Sequence, residues 1–150
     1  MRSAPMSTPI IIDCDPGHDD AIAILLALAS PELEVRAIST VAGNTTLDKT
    51  TRNALKVLEL AGRTDVPVCA GAAAPLTREL HTAPHVHGVS GLDGPDLPDP
   101  TTSPVDEDVT DFLARHIEHG VVLVPVGEVE RFSWSSATPA PSRPSSAIRA

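Results

Sequence analysis

Pro9-Ile10-Ile11-Ile12-Asp13-Cys14-Asp15-Pro16-Gly17-His18-Asp19-Asp20-Ala21-Ile22-Ala23-Ile24-Leu25-Leu26-Ala27-Leu28-Ala29 decides the fold. Pro9 to Asp13 is a short apolar run, rich in β-branched residues and closed by an acid and a Pro-Gly pair. That pattern predicts a strand buried on both faces. Asp15-Pro16-Gly17-His18 is turn chemistry. From Asp19 the composition turns helical, and two carboxylates in the first turn face the positive end of the helix dipole. Ser30-Pro31 ends this helix.

The same alternation continues outward. Glu34 to Val41 reads as a second strand, Ala42-Gly43-Asn44-Thr45-Thr46 as a loop, and Leu47 to Ala61 as a second helix stopped by Gly62. Val66 to Ala70 reads as a third strand. Gly71 to Pro104, rich in Pro, Gly, His and Asp, is a long loop of the kind that is functional or disordered. Asp106 to His119 reads as a third helix and Val121 to Val126 as a fourth strand. Strands alternating with helices imply an α/β fold, a Rossmann-like, mostly parallel sheet flanked by helices. Ligands bind such sheets beyond the carboxyl ends of the strands. Chemistry is therefore expected in residues 13–18, 42–46, 71–104 and from 126 onward.

Composition narrows the function. The chain has 150 residues, 11 Lys+Arg and 20 Asp+Glu, a formal net charge of −9. An acidic chain argues against nucleic-acid binding, which needs clustered Lys and Arg. The longest apolar run, Ala21 to Ala29, is far short of the ~20 residues of a membrane span. The N-terminus lacks the apolar core of a signal peptide. Two cysteines, Cys14 and Cys69, make neither a disulfide framework nor a zinc site, and Cys14 reads as a buried strand thiol. These features predict a soluble, cytoplasmic protein acting on a small molecule.

Asp13, Asp15, Asp19 and Asp20 place four carboxylates in eight residues. Strand alternation sends Asp13 and Asp15 to one side, and the Pro-Gly turn brings Asp19 and Asp20 back at a helix start. Converging acids repel unless a cation neutralises them. Oxygen-only ligands suit a hard ion, Ca²⁺ or Mg²⁺. A solvated acidic turn is the competing explanation. An EF-hand loop from Asp13 fails, since its sixth position is His18 and its twelfth Ile24. A phosphatase of the haloacid-dehalogenase type fits poorly, because Gly17 stands where Thr or Val is expected and the Asp19-Asp20 pair has no role there.

Ile11 to Ala21 resembles the N-terminal signature of the inosine-uridine-preferring nucleoside hydrolases. Three further segments agree in order: Val41 to Leu47 with Thr51-Arg52-Asn53-Ala54, His85-Val86-His87-Gly88-Val89-Ser90-Gly91-Leu92 as an active-site flap, and Leu123-Val124-Pro125-Val126-Gly127 as a strand end. The resemblance covers about residues 9–127. It implies Ca²⁺-dependent hydrolysis of the N-glycosidic bond of ribonucleosides to ribose and free base, a purine and pyrimidine salvage reaction, in homodimers or homotetramers. By the match, Asp15 is the general base and a Ca²⁺ ligand, and Asp20 a second ligand. Val126 gives the metal its backbone carbonyl, although related sequences usually carry Thr there. Asp13 supports the cluster, Asp19 and Asn44 bind ribose hydroxyls, and His87 on the flap contacts the nucleoside. Ionised carboxylates accept from hydroxyls and favour a developing positive charge, so the residue types suit these roles. His81, His85, His116 and His119 receive no role.

The end of the chain departs from the family. Members run to roughly twice this length, and their second half supplies another Asp for Ca²⁺, in many members a His that protonates the leaving base, and most base-recognition residues. Glu128 to Ala150 has six Ser, three Pro and no apolar period. Three regions are expected: a disordered N-terminus at 1–8, the N-terminal part of a nucleoside hydrolase domain at 9–127, and a non-homologous, disordered tail at 128–150. The abrupt change after Gly127 suggests a frameshift or truncated reading frame. The expectation for the chain alone is a family hydrolase activity, with a catalytically inactive remnant or a non-catalytic nucleoside- or metal-binding module as alternatives.

Overall fold

The computed structural model describes residues 7–127. The expected tail at 128–150 lies outside the described residues, as does most of the 1–8 segment; Thr8 already belongs to the first strand. In chain order the elements are β1 (Thr8–Cys14), α1 (His18–Ala29), β2 (Leu33–Thr40), α2 (Leu47–Leu60), β3 (Val68–Ala70), α3 (Pro84–His87), α4 (Val109–His116) and β4 (Val122–Pro125). All four strands are parallel, in the order β3-β2-β1-β4. The α/β, mostly parallel sheet expected from the alternating pattern is what forms.

β1 is the central strand that the Ile10-Ile11-Ile12 run predicts. Its side chains alternate between two separate cores. Ile10, Ile12 and Cys14 pack with Ile24, Ala27, Leu55 and Leu58 of α1 and α2. Ile11 packs on the other face with Phe112 and Leu113 of α4. Three isoleucines in a row are needed because both faces are covered. Among the described residues the core is aliphatic apart from Phe112, in keeping with the scarcity of aromatic residues.

The structure corrects several boundaries. The 71–104 stretch is not all loop: Pro84 opens the one-turn helix α3, a position where proline's missing N–H costs nothing. The third expected helix is shorter, starting at Val109 because Asp108 caps it by accepting from the Thr110 N–H at 2.8 Å. The third strand begins at Val68, two residues later than the pattern suggests.

The two sheet edges differ. At β3 the edge is partly covered, since Val105 forms a parallel bridge with Cys69 and its N–H donates to the Val68 carbonyl at 2.8 Å. At β4 no further strand pairs among the described residues. Phe112→Ala is expected to cost about 3–5 kcal/mol in urea unfolding, since the ring is fully buried. Leu26→Ala, on the exposed side of α1, should stay within about 0.5 kcal/mol. Equal losses at the two positions would contradict this packing.

Candidate active site

β1 and β2 end side by side, and the loops that follow them meet at the Asp15-Pro16-Gly17 turn. The Asp15 carboxylate accepts the Asn44 N–H at 2.7 Å, and the Asn44 side-chain amide donates to the Asp15 carbonyl at 2.9 Å. Asn44 thus grips Asp15 at both ends of the residue. The Asp15 N–H donates to the Asp20 carboxylate at 3.1 Å. Asp20 is the third residue of α1 after the Gly17 cap, and it also accepts from the Gly17 N–H. A carboxylate there satisfies N–H groups that a helix start leaves open.

The four acids do not form one cluster. Asp13, Asp15 and Asp20 are buried, whereas Asp19 is exposed on the next position of the helix. Asp13 accepts from the Ser39 hydroxyl of β2 at 2.5 Å, below the turn. Among the described residues no group of three or more His, Cys, Asp or Glu side chains is placed to hold a metal ion. What the fold brings together is a pair, Asp15 and Asp20, beside the end of β4. The Val126 N–H donates to the Asp13 carbonyl at 2.9 Å, which lays the Val126-Gly127 main chain against β1. A Cβ placed on Gly127 would stand 2.5 Å from Asp15 Oδ1. Glycine is needed there for close approach.

Electrostatics follow from this burial. Desolvation, then the charges of Asp15 and Asp19, push the Asp20 carboxyl up to about 7. Burial foremost, then Asp20, Asp13 and Asp15, raises the Cys14 thiol well above its ordinary value, so Cys14 is an inert strand residue. Two buried carboxylates, a main-chain strand end and no soft ligand form a donor set that fits a hard divalent cation in kind. Two carboxylates fall short of the 6–8 oxygens that Ca²⁺ takes, so further oxygens must come from water, substrate or other polypeptide.

The flap lies over this turn. His87, expected on the flap, is 8% exposed at the end of α3. Its Nδ1 accepts the His18 N–H at 3.3 Å and lies 3.3 Å from His18 Nδ1. His18 Nε2 stands 2.9 Å from the Asp93 carbonyl, so His18 touches the flap at two places. A Cβ on Gly17 would meet His87 Nδ1 at 2.7 Å and Asn44 Nδ2 at 2.8 Å. Asp93 closes the flap on itself, accepting from Val89 N–H, Ser90 N–H and the Ser90 hydroxyl. The Ser90 hydroxyl foremost holds the Asp93 carboxyl below its ordinary range.

Asn53 and His18 are the residues that sequence reasoning left without a role. Asn53 is buried on α2, and its amide donates to the Pro16 carbonyl at 3.0 Å and the Ser90 carbonyl at 2.9 Å. It ties turn and flap to the same helix. The signal was present, since Asn53 falls on the α2 stripe that includes Thr50, Ala54 and Val57, where a polar residue needs a partner.

His18→Ala should release one side of the flap. Amide exchange at residues 84–93 is expected to rise about tenfold, with β1 and β2 amides unchanged. Unchanged flap protection would contradict the His18 contacts.

Comparison with known proteins agrees with this architecture. The profile described as "Inosine-uridine preferring nucleoside hydrolase" matches residues 10–129. The chain is 52% identical over 136 residues to the pyrimidine-specific ribonucleoside hydrolase RihA of Photobacterium profundum, covering 89% of this chain and 44% of that protein. It is 54% identical over 121 residues to RihA of Escherichia coli K12, covering 81% and 39%. Among solved structures, a plant nucleoside hydrolase, PpNRh1, superposes with a TM-score of 0.73 at 39% identity, over 83% of this chain and 41% of that one. A purine-preferring ribonucleoside hydrolase from Gardnerella vaginalis gives 0.74 at 31% identity, over 81% and 41%. The chain spans about two-fifths of the length of these relatives. It belongs to the inosine-uridine preferring nucleoside hydrolase family, whose N-terminal segment it carries.

Proposed function

We propose that the Asp15 turn is the sugar-side half of a ribonucleoside hydrolase site. The observation that carries this reading is the buried Asp15–Asp20 pair at the carboxyl end of the central strand. In the reaction a water oxygen bonds to the ribose anomeric carbon as the N-glycosidic bond breaks. The base leaves with the bonding electron pair and takes up a proton from solvent, while Asp15 takes the water's proton and then returns it to solvent. Asp15 suits a general base because Asn44 fixes it from two directions, so it needs no reorientation as the proton moves. Asp15, Asp20 and the Val126 carbonyl would hold Ca²⁺. When bound, such an ion lowers the pKa of water and orients hydroxyls.

Asp13, held by the Ser39 hydroxyl of β2, supports the cluster in this reading. Asp19, exposed at the helix start, and Asn44 accept ribose hydroxyls in this reading. His87 contacts the nucleoside from the flap. Its Nδ1 is occupied by the His18 N–H, so the neutral ring presents an Nε2 proton as a donor. Negative charge around the sugar favours the positive charge that develops on ribose as the base departs. Pyrimidine ribonucleosides are the first substrates to test, since the relatives at 52–55% identity carry pyrimidine-specific names.

The alternative reading is a module that binds nucleoside or metal without turnover. Ribose release from uridine and inosine, with and without added Ca²⁺, separates the two. Turnover that rises with Ca²⁺ and falls about 100-fold or more in Asp15→Asn supports the hydrolase. Binding without ribose release at any Ca²⁺ concentration supports the module.

A further inference from the structure

An amphipathic helix ordinarily turns its polar face to water. In α2 the apolar face packs on the core, but a polar stripe lies under the segment that runs from the flap to Thr102. Lys49 Nζ donates to the Val89 carbonyl at 2.8 Å, the Asn53 amide to the Ser90 carbonyl at 2.9 Å, and Lys56 Nζ to the Leu97 carbonyl at 3.3 Å, with the Asp99 carboxylate also 3.3 Å away. One oxygen of Glu59 then accepts the N–H and the hydroxyl of both Thr101 and Thr102, at 2.7–3.1 Å. Lys49, Asn53, Lys56 and Glu59 follow one another at steps of four, three and three, which makes a single stripe about 15 Å long. Their partners come in the same order, so the segment runs along the helix in the helix's own direction.

Chemistry and packing both assign the register of the segment to these contacts. Val89, Ser90 and Leu97 lie outside any strand, so their carbonyls need donors from elsewhere. Ammonium and amide groups supply them, and where the segment instead presents N–H groups the stripe changes to a carboxylate. Between the contacts the segment stands off the helix. A hollow of about 480 Å³ lies beside Gly94 and Pro95, and another of about 560 Å³ beside Pro100 and Pro104. Leu92 is the one buried apolar side chain of residues 88–102, and apolar contact has no direction. It sets the depth of the segment but not its place along the helix. Gly91 marks a close approach, since a Cβ there would stand 2.9 Å from Asn53 Nδ2.

We infer that the α2 stripe is a register rail for the flap, and that Lys56 and Glu59, at its far end, are positioning residues for His87. His87 meets the acidic turn at Gly17 and His18, while Lys49 and Asn53 hold the next residues of the flap. Held at that end alone, the flap is free to shift along α2 about the Leu92 pin. The Lys56 and Glu59 contacts fix the segment at its other end and remove that freedom. The exposed Arg52–Asp99 pair, at 3.4 Å, adds little. The positional claim stands on these contacts; only its value to a bound nucleoside rests on the function proposed above.

The test follows amide exchange by mass spectrometry and histidine ring signals by NMR, on the full chain and its variants. Glu59→Ala is expected to raise exchange about tenfold at residues 97–102 and about threefold or more at 86–93, and to move the His87 ring signals, with β1 and β2 amides unchanged. Glu59→Gln keeps an accepting oxygen at the seat and should return the flap to within about twofold of the parent. The pair Thr101→Val, Thr102→Val removes both hydroxyl donors without touching α2. It should loosen residues 86–93 as well, and it decides the matter if Glu59→Ala fails to fold. Loosening confined to 97–102, with the His87 signals at their parent positions, would overturn the inference. A Gln variant as loose at the flap as the Ala variant would overturn it too. None of these readouts needs turnover, so a failure to release ribose counts only against the hydrolase reading.

Discussion

The turn after β1 is held from several sides at once, and the rest of the site depends on that grip. Asn44 holds Asp15 at its carboxylate and its carbonyl, Asp20 reaches back to the Asp15 N–H, and Asn53 holds the Pro16 carbonyl. These partners come from the loop after β2, from α1 and from α2. Each lies on an element whose own position is set by the apolar core beneath. A buried carboxylate is unfavourable unless N–H groups or a cation meet it. Here N–H groups meet part of the need, while burial foremost, then the charges of Asp15 and Asp19, still pushes the Asp20 carboxyl up to about 7. Two buried carboxylates side by side at a strand end are the physical reason to look for a cation at this place.

The same grip sets the flap. His18 and Gly17 belong to the turn, and both press on His87. Gly17 serves by lacking a side chain, since its backbone is extended and its space is already taken. Gly88, by contrast, has φ of +78°, and a Cβ there would run into Asp93. One glycine allows close approach and the other allows a turn, and together they let α3 lie on the carboxylate end of the sheet. Flap and acidic turn are one packed unit in which Asn53 bridges the two.

Much of the fold was legible because its signals are local. The Ile10-Ile11-Ile12 run, the acids at the start of α1 and the α2 stripe each specify their own element. α3 escaped notice because a single turn in a stretch rich in Pro, Gly and His offers no period to read. The acidic cluster was overcounted for a related reason. Sequence spacing shows four carboxylates in eight residues, but Ser39 takes Asp13 from the neighbouring strand, and the 100° step along a helix separates exposed Asp19 from buried Asp20. The α2 stripe shows that Asn53 needs a polar partner, but neither it nor His18 is legible as a flap mooring, because their partners lie 37 and 69 positions away.

In the proposed function Asp15 and Asp20 face inward to meet a divalent cation and, through it, ribose. Carbon-13 NMR of the aspartate carboxyl groups, titrated with Ca²⁺ and then ribose, tests it most directly. The Asp15 and Asp20 signals are expected to move together on adding millimolar Ca²⁺, with those of exposed Asp65 and Asp111 unmoved, and to shift again with ribose. Asp15 and Asp20 signals that track those of Asp65 and Asp111 throughout both additions would contradict it.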